Sequence, residues 1–485
     1  MNVRKKKAVN SRSGTIFFTE VLMVKKSSPD ITSSPIRQTM ITYTLPIIFA
    51  SLIQVLFNAA DLAVLGWFDN SADSSAIGAV GATGAIISLL VNSAIGLSGG
   101  TNILLARSIG AGDIPRSRRI VNTSLVLALV GGIIVGTVGI ISAGWFLTST
   151  ECPANCYDGA LTYLYLYFGA APAVLIYSFG AAIIRVSGDS QRPLYYMLYA
   201  GVINVVMNFI LCLILDNKVA AVGIATLSSQ VVGAVLVVIH LMRIDGPCSL
   251  KIRELSFSFP EFKKIMATGL PGAFNGALYS ISNLQIQSAI NSFGSSAVAG
   301  NSASAQIEGL ASSCTNAFGT AALTFVGQNI GAGKQERVKQ SIRTAIVMSV
   351  SITVSISVLA PVFRVPLLKL FLPADELAVR FAQVRMFSLF SLFWMAAING
   401  ILSSAIQAFG YPTFPMLNSI VTVLLFRVIW MSLIYPNLPL KADPVSNIFN
   451  LYSCYMVSWT LSLITCAVMF FTIYSRYKRG KVKML

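Results

Sequence analysis

Long apolar runs recur from residue 39 to residue 474, and they limit the possible folds more than any other feature of the chain. Most of them approach or exceed the roughly 20 residues that an α-helix needs to cross a bilayer. Only 11% of the residues are charged, whereas a soluble protein carries about 25%. The sequence therefore predicts an all-α integral membrane protein whose main surroundings are the lipid bilayer. The twelve predicted spans are 39–66, 76–106, 120–147, 159–185, 195–215, 220–242, 263–291, 297–326, 343–367, 382–408, 414–435 and 446–474.

The basic residues fall mainly in alternate connecting segments. If the N-terminus is cytoplasmic, 28 of the 35 lysines and arginines lie in cytoplasmic segments, which is the asymmetry of the positive-inside rule. This distribution predicts a multi-pass plasma-membrane protein with both termini in the cytoplasm. It also explains the net charge of +17 without nucleic acid, because these charges face anionic lipid. The predicted outer segments hold the six residues Lys218, Arg364, Lys369, Arg380, Arg385 and Lys441, and Arg427 lies within a span.

The chain also repeats itself. "ARSIGAGDIPRSRR" (106–119) returns as "GQNIGAGKQERVKQ" (327–340), and "TLPIIFA" (44–50) corresponds to "GLPGAFN" (269–275). Six helices in each half give both halves the same orientation, so their pseudo-twofold axis runs along the membrane normal, an arrangement found in transporters. Duplication without transport is the alternative interpretation.

The repeat divides the chain into five segments. Met23 begins a sequence typical of a cytoplasmic start, so we expect residues 1–22 to be an upstream extension. The predicted segments are an N-terminal extension (1–38), a first six-helix bundle (39–243), a cytoplasmic linker (244–262), a second six-helix bundle (263–475) and a basic tail (476–485).

Only two of the eighteen acidic residues lie deep in apolar runs, Asp61 and Glu308. A buried carboxylate in a membrane is costly and therefore suggests a functional site. Gln54 and Asn58 precede Asp61 at helical spacing, so the three share one face of the first helix. We expect this face to point into the protein.

Polar residues of the fifth and sixth helices can complete the site. Asn204 and Asn208 lie four residues apart, and Thr226 lies on the sixth helix. With Asp61 they offer one carboxylate, amide oxygens and a hydroxyl, which suit a hard monovalent cation or a protonatable acid. Hydrogen bonding between helices is the alternative role for the neutral residues.

A second polar cavity is predicted in the second half. Tyr279 and Asn283 lie on one face of the seventh helix, and Glu308 lies on the eighth. Arg427 is a candidate counter-ion for Glu308, in which case the pair is structural. We expect substrate to contact Gln54, Asn58, Tyr279, Asn283 and Glu308.

Several other functions are disfavoured. His240 is the only histidine, and no cysteine cluster has zinc spacing, so the chain is not expected to be an enzyme or to carry a cofactor. The two GAG segments lack the lysine and the context of a phosphate loop and are expected to be tight turns. Cys152 and Cys156 are either disulfide-bonded or free.

The chain resembles the multidrug and toxic compound extrusion (MATE) family over roughly residues 35–475. The resemblance depends on the order of several motifs, each weak alone. They are "LP…Q…N..D…LG" in helix 1, the paired GAG turns, "R.SGD.QRP" after helix 4, "N…N" in helix 5, "G.AT..SQ" in helix 6, and the late "FR..WM" and "SW" elements.

The resemblance implies two six-helix bundles that form a V around a central cavity. It implies an antiporter that exports organic cations, drugs or dyes in exchange for Na⁺ or H⁺. The family's cation site corresponds to Asp61, Asn204, Asn208 and Thr226. Some members have an aspartate where this chain has Asn208, so a site with one carboxylate leaves Na⁺ and H⁺ both open as the coupling ion.

Substrates of such a protein are small organic cations or amphipathic drugs, and a monomer is expected. A flippase for lipid-linked precursors is the main alternative, although such members often have two more helices. A receptor or channel that does not pump is a second alternative.

Overall fold

The computed structural model describes residues 30–68, 75–150, 152–369, 375–438 and 444–480. Within these ranges the regular structure is helical, and no strand is found. Residues 1–22, predicted to be an upstream extension, lie outside them.

The first half consists of six spans, of which the fourth is bent. A 47° bend separates the two helices α4 and α5 of this span. The helices are α1 (Ile36–Phe68), α2 (Ser75–Gly110), α3 (Ile114–Ser149), α4 (Ala154–Gly169), α5 (Ala171–Val186), α6 (Gln191–Ile214) and α7 (Lys218–Arg243).

The second half repeats this plan, including a 47° bend in its fourth span, between α12 and α13. Its fifth span contains two π-helical segments, Ile420–Leu425 and Trp430–Ile434, and ends in a 3₁₀ turn, Tyr435–Asn437. The helices are α8 (Phe259–Asn291), α9 (Ser295–Gly331), α10 (Gln335–Val362), α11 (Arg364–Lys369), α12 (Glu376–Phe390), α13 (Phe393–Ala408), α14 (Thr413–Ser419), α15 (Phe426–Ile429) and α16 (Pro444–Lys478).

These elements confirm the predicted fold of twelve transmembrane helices in two bundles. Among the described residues, eight helical stretches are individually long and apolar enough to cross a membrane, and the two bent pairs raise that number to ten. The remaining two spans are α8 and α9, with 33 and 37 residues. Both are long enough to cross a bilayer, and both pack against the other half of the protein.

The two halves meet at the end of the molecule that carries the GAG turns, here called the basic end. Gly112 and Gly333 of these turns have φ values of 72° and 69°, a conformation that glycine adopts without strain. Just before the turns, helices α2 and α9 touch. A Cβ on Gly110 would lie 2.0 Å from the carbonyl oxygen of Gln328, and one on Gly331 would lie 2.2 Å from that of Arg107.

The first helix of each half packs against both halves. Near its start, α1 packs on α9, where the rings of Tyr43 and Phe325 lie 5.5 Å apart and the Tyr43 hydroxyl donates to Thr324. Pro46 lies inside the helix, and further along α1 packs on α6 of its own half, where Phe57 lies on Gly201. Helix α8 has Pro271 at the equivalent place and packs on α2 of the first half and on α14 of its own half. Each of these two helices therefore connects the bundles.

The structure corrects the prediction for Arg385. This residue does not lie in an outer segment. It lies within α12 and is 7% exposed. The seven cysteines are free thiols, so Cys152 and Cys156 do not form a disulfide.

Candidate functional site

A close approach of α1 to α6 forms the predicted cation site. Gly201 of α6 has no side chain, and a Cβ there would lie 1.8 Å from the ring of Phe57. The Phe57 ring thus occupies the space over Gly201. One turn further along each helix, Asp61 and Asn204 are brought within the same polar cluster.

The four residues predicted for the cation site form one continuous chain of hydrogen bonds. Asn208 Nδ2 donates to Asp61 Oδ1 at 2.5 Å and lies 3.3 Å from Asn204 Oδ1. Asn204 Nδ2 in turn lies 3.5 Å from Thr226 Oγ1. All four side chains are buried. Polar residues that the sequence predicted on three separate helices therefore lie together in one cluster.

The charge of Asp61 has no basic partner, since none of the ion pairs found among the described residues includes it. The Oδ1 atom of Asn208 is also buried and accepts no hydrogen bond. The Asp61 carboxylate thus lacks a positively charged partner, and Asn208 Oδ1 lacks a hydrogen-bond donor. A proton on Asp61, or a small cation bound by the surrounding oxygens, would satisfy them.

Two tyrosines that sequence reasoning missed complete the walls of this cluster. Tyr163 and Tyr167 of α4 are buried with rings 6.2 Å apart, and Tyr163 lies within hydrogen-bond reach of Thr226. Their spacing of four residues in "YLYLY" places both on one helix face, a signal that could have identified them.

The other polar residues predicted on α1 are placed differently. Gln54 is exposed, and it forms none of the hydrogen bonds that connect the buried cluster. The side chain of Asn58 lies outside the described part of the chain. Their assignment to a substrate cavity stays a prediction.

In the second half, Glu308 pairs with an arginine other than the predicted one. Arg385 Nη2 donates to Glu308 Oε2 at 2.6 Å, and Arg385 Nη1 donates to Asn301 Oδ1 at 2.6 Å. The prediction that Arg427 is the counter-ion of Glu308 is therefore wrong. Asn283 instead accepts a hydrogen bond from Arg427 at 3.1 Å.

Tyr279 lies one turn before Asn283 on α8 and is half-buried. The residues predicted for the second cavity thus fall into two groups, one around Glu308 and one along α8.

Two matching hydrogen bonds close the basic end. Gln328 Nε2 donates to the carbonyl oxygen of Val186 at 2.6 Å, and Arg107 Nε donates to that of Ala408 at 2.9 Å. Arg107 and Gln328 occupy equivalent places in the repeat, and each reaches the last residue of a helix in the opposite half. Such carbonyl groups have no partner inside their own helix. This pair of bonds, here called the latch, joins the halves at the basic end.

Comparisons with known proteins agree with this architecture. The family model described as MatE matches residues 46–210 and 271–431. The chain is 26% identical over 409 residues to "Probable multidrug resistance protein YoeA" of Bacillus subtilis, covering 82% of this chain and 86% of that protein. It is 22% identical to the "FAD transporter" of Shewanella oneidensis, covering 65% and 70% of the two chains.

A solved structure has the same fold. It is an outward-facing multidrug resistance MATE family transporter, and it superposes with a TM-score of 0.83 at 19% identity. The superposition covers 94% of this chain and all of the other. The match of the family model to more than half of the chain, together with the two six-helix halves, establishes that this protein is a membrane transporter of the MatE family and not an enzyme.

Proposed function

We propose that the protein is a secondary active antiporter that exports small amphipathic compounds in exchange for Na⁺ or H⁺ bound at Asp61. The observation that carries this proposal is the buried Asp61 carboxylate, which Asn208 holds at 2.5 Å without a basic partner. A neutral polar side chain is enough to pack helices together, whereas coupling to Na⁺ or H⁺ needs a carboxylate that the ion can neutralise reversibly.

The orientation in the membrane follows from charge. The basic end carries most of the lysines and arginines, so it faces the cytoplasm of the cell. Because the latch closes this end, the described state is closed to the cytoplasm. A cation from outside then moves down the membrane potential to reach Asp61, gaining about 2.3 kcal/mol per 100 mV if it crosses the whole potential.

Cation binding can drive the exchange through α1. Neutralising Asp61 lowers the cost of closing α1, α4, α6 and α7 around it. Because α1 packs on α9 over its first half and on α6 further along, a shift near Asp61 changes the contact between the halves. The cation shifts this equilibrium only as far as its affinity differs between the outward-open and inward-open states.

The proposed substrates are hydrophobic organic cations, drugs and dyes, and the relatives named for multidrug resistance support this class. The FAD transporter among the relatives supports amphipathic compounds of other charge. We propose the plasma membrane as the location and a monomer as the working unit.

Transport by the purified protein in lipid vesicles tests this proposal. Ethidium uptake against its gradient is measured under a Na⁺ gradient or a pH gradient imposed separately. We expect one of them to drive accumulation, and we expect Asp61→Asn to abolish it. Asp216→Asn is the matched control, because Asp216 is an exposed carboxylate of the same half. Gradient-driven accumulation by the Asp61→Asn protein at the wild-type rate would overturn the proposal.

A further inference from the structure

Arg427 is a charge inside the membrane that the proposed transport cycle does not use. It lies in α15, a single α-helical turn between the two π-helical segments of the eleventh span, and it is 1% exposed. A buried arginine at such a position is costly and suggests a functional site. π-Helical segments inside a helix occur frequently at functional sites.

The contacts of Arg427 leave its charge uncompensated. Its Nη1 atom donates to Ser282 Oγ at 3.2 Å and to Asn283 Oδ1 at 3.1 Å, both neutral acceptors. The guanidinium carbon lies 4.4 Å from the centre of the Tyr455 ring. The Nε atom is buried and has no hydrogen-bond partner. No ion pair found in the described ranges includes Arg427.

Arg385 provides a comparison within the same bundle. Its guanidinium also lies near Tyr455, at 5.7 Å from the ring centre, but its charge is neutralised by Glu308 at 2.6 Å. Glu308 is thus already paired with Arg385. Of these two arginines, Arg427 is the one whose positive charge has no such partner among the described residues.

The position of Arg427 mirrors the Asp61 site with reversed polarity. In the first half, a carboxylate on the first span is held by an amide of the fifth span, as Asn208 holds Asp61. In the second half, an arginine on the fifth span is held by an amide of the first span, as Asn283 holds Arg427. Among the described residues, each half therefore has an uncompensated charge between its first and fifth spans.

We propose that Arg427 binds an anionic group of the transported compound, either a carboxylate or a phosphate. The partnerless Nε–H belongs to the fork of donors with which a guanidinium holds two oxygens of such a group. Asn283 is exposed, so the guanidinium lies one hydrogen bond away from an accessible surface. This inference rests on the proposed export function and extends its substrate class from organic cations to amphipathic compounds that also carry an anionic group.

Binding to the purified protein in detergent tests the inference without transport. Two pairs of fluorescent probes are compared by fluorescence polarisation. Rhodamine 110 has a free carboxylate that is a methyl ester in rhodamine 123, and riboflavin 5′-phosphate has a phosphate that riboflavin lacks. We expect the wild-type protein to prefer the anionic member of at least one pair by about tenfold. The pair that shows the preference distinguishes carboxylate from phosphate.

Variants assign the preference to Arg427. We expect Arg427→Gln to lose the preference for the anionic probe while the neutral or esterified probe binds as before. The control is Arg343→Gln, which should keep the preference because Arg343 is an exposed arginine of the same half. If Arg427→Gln does not fold, Arg427→Lys decides, because lysine keeps the charge without the fork and should reduce the preference several-fold.

Equal binding within both pairs, or a preference that survives the substitution of Arg427, would overturn the anion site. Either result leaves gradient-driven export intact. Conversely, a protein that binds anions through Arg427 but accumulates no compound against a gradient would overturn the proposed function alone.

Discussion

Removal of one bond of the latch should open the basic end. Gln328 is 4% exposed, and its Nε2 atom donates to the carbonyl oxygen of Val186 at 2.6 Å. Val186 is the last residue of α5, so its carbonyl oxygen has no partner within that helix. Gln328→Leu keeps the approximate size of the side chain and removes the donor.

The expected size of the effect follows from burial. A buried carbonyl group that loses its only donor costs about 1–3 kcal/mol. This cost applies only to the state in which the halves touch, because separated halves expose the carbonyl group to water. The equilibrium should therefore shift toward the inward-open state by about five- to 150-fold. The second bond, from Arg107 to Ala408, is left intact, so the shift should not unfold the protein.

Distances between spin labels can measure this shift. Arg119 and Gln340 occupy equivalent places in the repeat, are exposed and lie at the basic end of opposite halves. Labels attached there, in a background without the native cysteines, should show a new population at longer distance in Gln328→Leu. The control is Gln335→Leu, the same change at an exposed glutamine of this end. An unchanged distance distribution in Gln328→Leu would refute the idea that the latch holds the halves closed.

Three further predictions concern stability and packing. Glu308→Gln leaves Arg385 buried without its carboxylate, so thermal unfolding should show a loss of about 3–5 kcal/mol; an unchanged unfolding temperature would contradict this. Gly201→Val should impair transport because its Cβ meets Phe57, and Phe57→Ala should restore it; failure of that rescue would count against the packing argument. Burial raises the pKa of Cys248 to about 12, so between about pH 7 and 9 the folded protein should keep this thiol protonated and resist maleimide until it unfolds. The stability that this thiol contributes should fall as the pH rises above the pKa of the thiol in the unfolded chain. Rapid labelling of the folded protein by maleimide, measured by mass spectrometry, would contradict burial.

The grouping of polar residues around Asp61 was predicted well by the sequence. Asp61, Asn204, Asn208 and Thr226 each stood out because a polar residue in an apolar span is costly, and the family motif assigned them to one site. The structure brings the four together. Their role in ion coupling stays a prediction, as do the limits of the two bundles.

The second half shows where sequence reasoning was insufficient. The sequence made Arg427 the candidate partner of Glu308 and assigned Arg385 to an outer segment, whereas the structure pairs Glu308 with Arg385. Only the depth and crossing of the helices decide which arginine comes within 2.6 Å of the carboxylate. Arg385 was wrongly assigned to a loop because the polar start of α12 resembles a connecting segment.

The sequence by itself determined the number of spans, the two-fold repeat and the basic end. These properties depend on composition and on short-range periodicity, which a membrane enforces strongly. The tertiary structure alone decided the partners of the buried charges, the tyrosine walls of the Asp61 site and the latch. Those contacts join helices that are distant in the chain, and their geometry depends on how closely small residues such as Gly110 and Gly331 let the helices approach. Helical periodicity fixes the face on which a side chain lies, but it does not fix the height at which that face meets another helix.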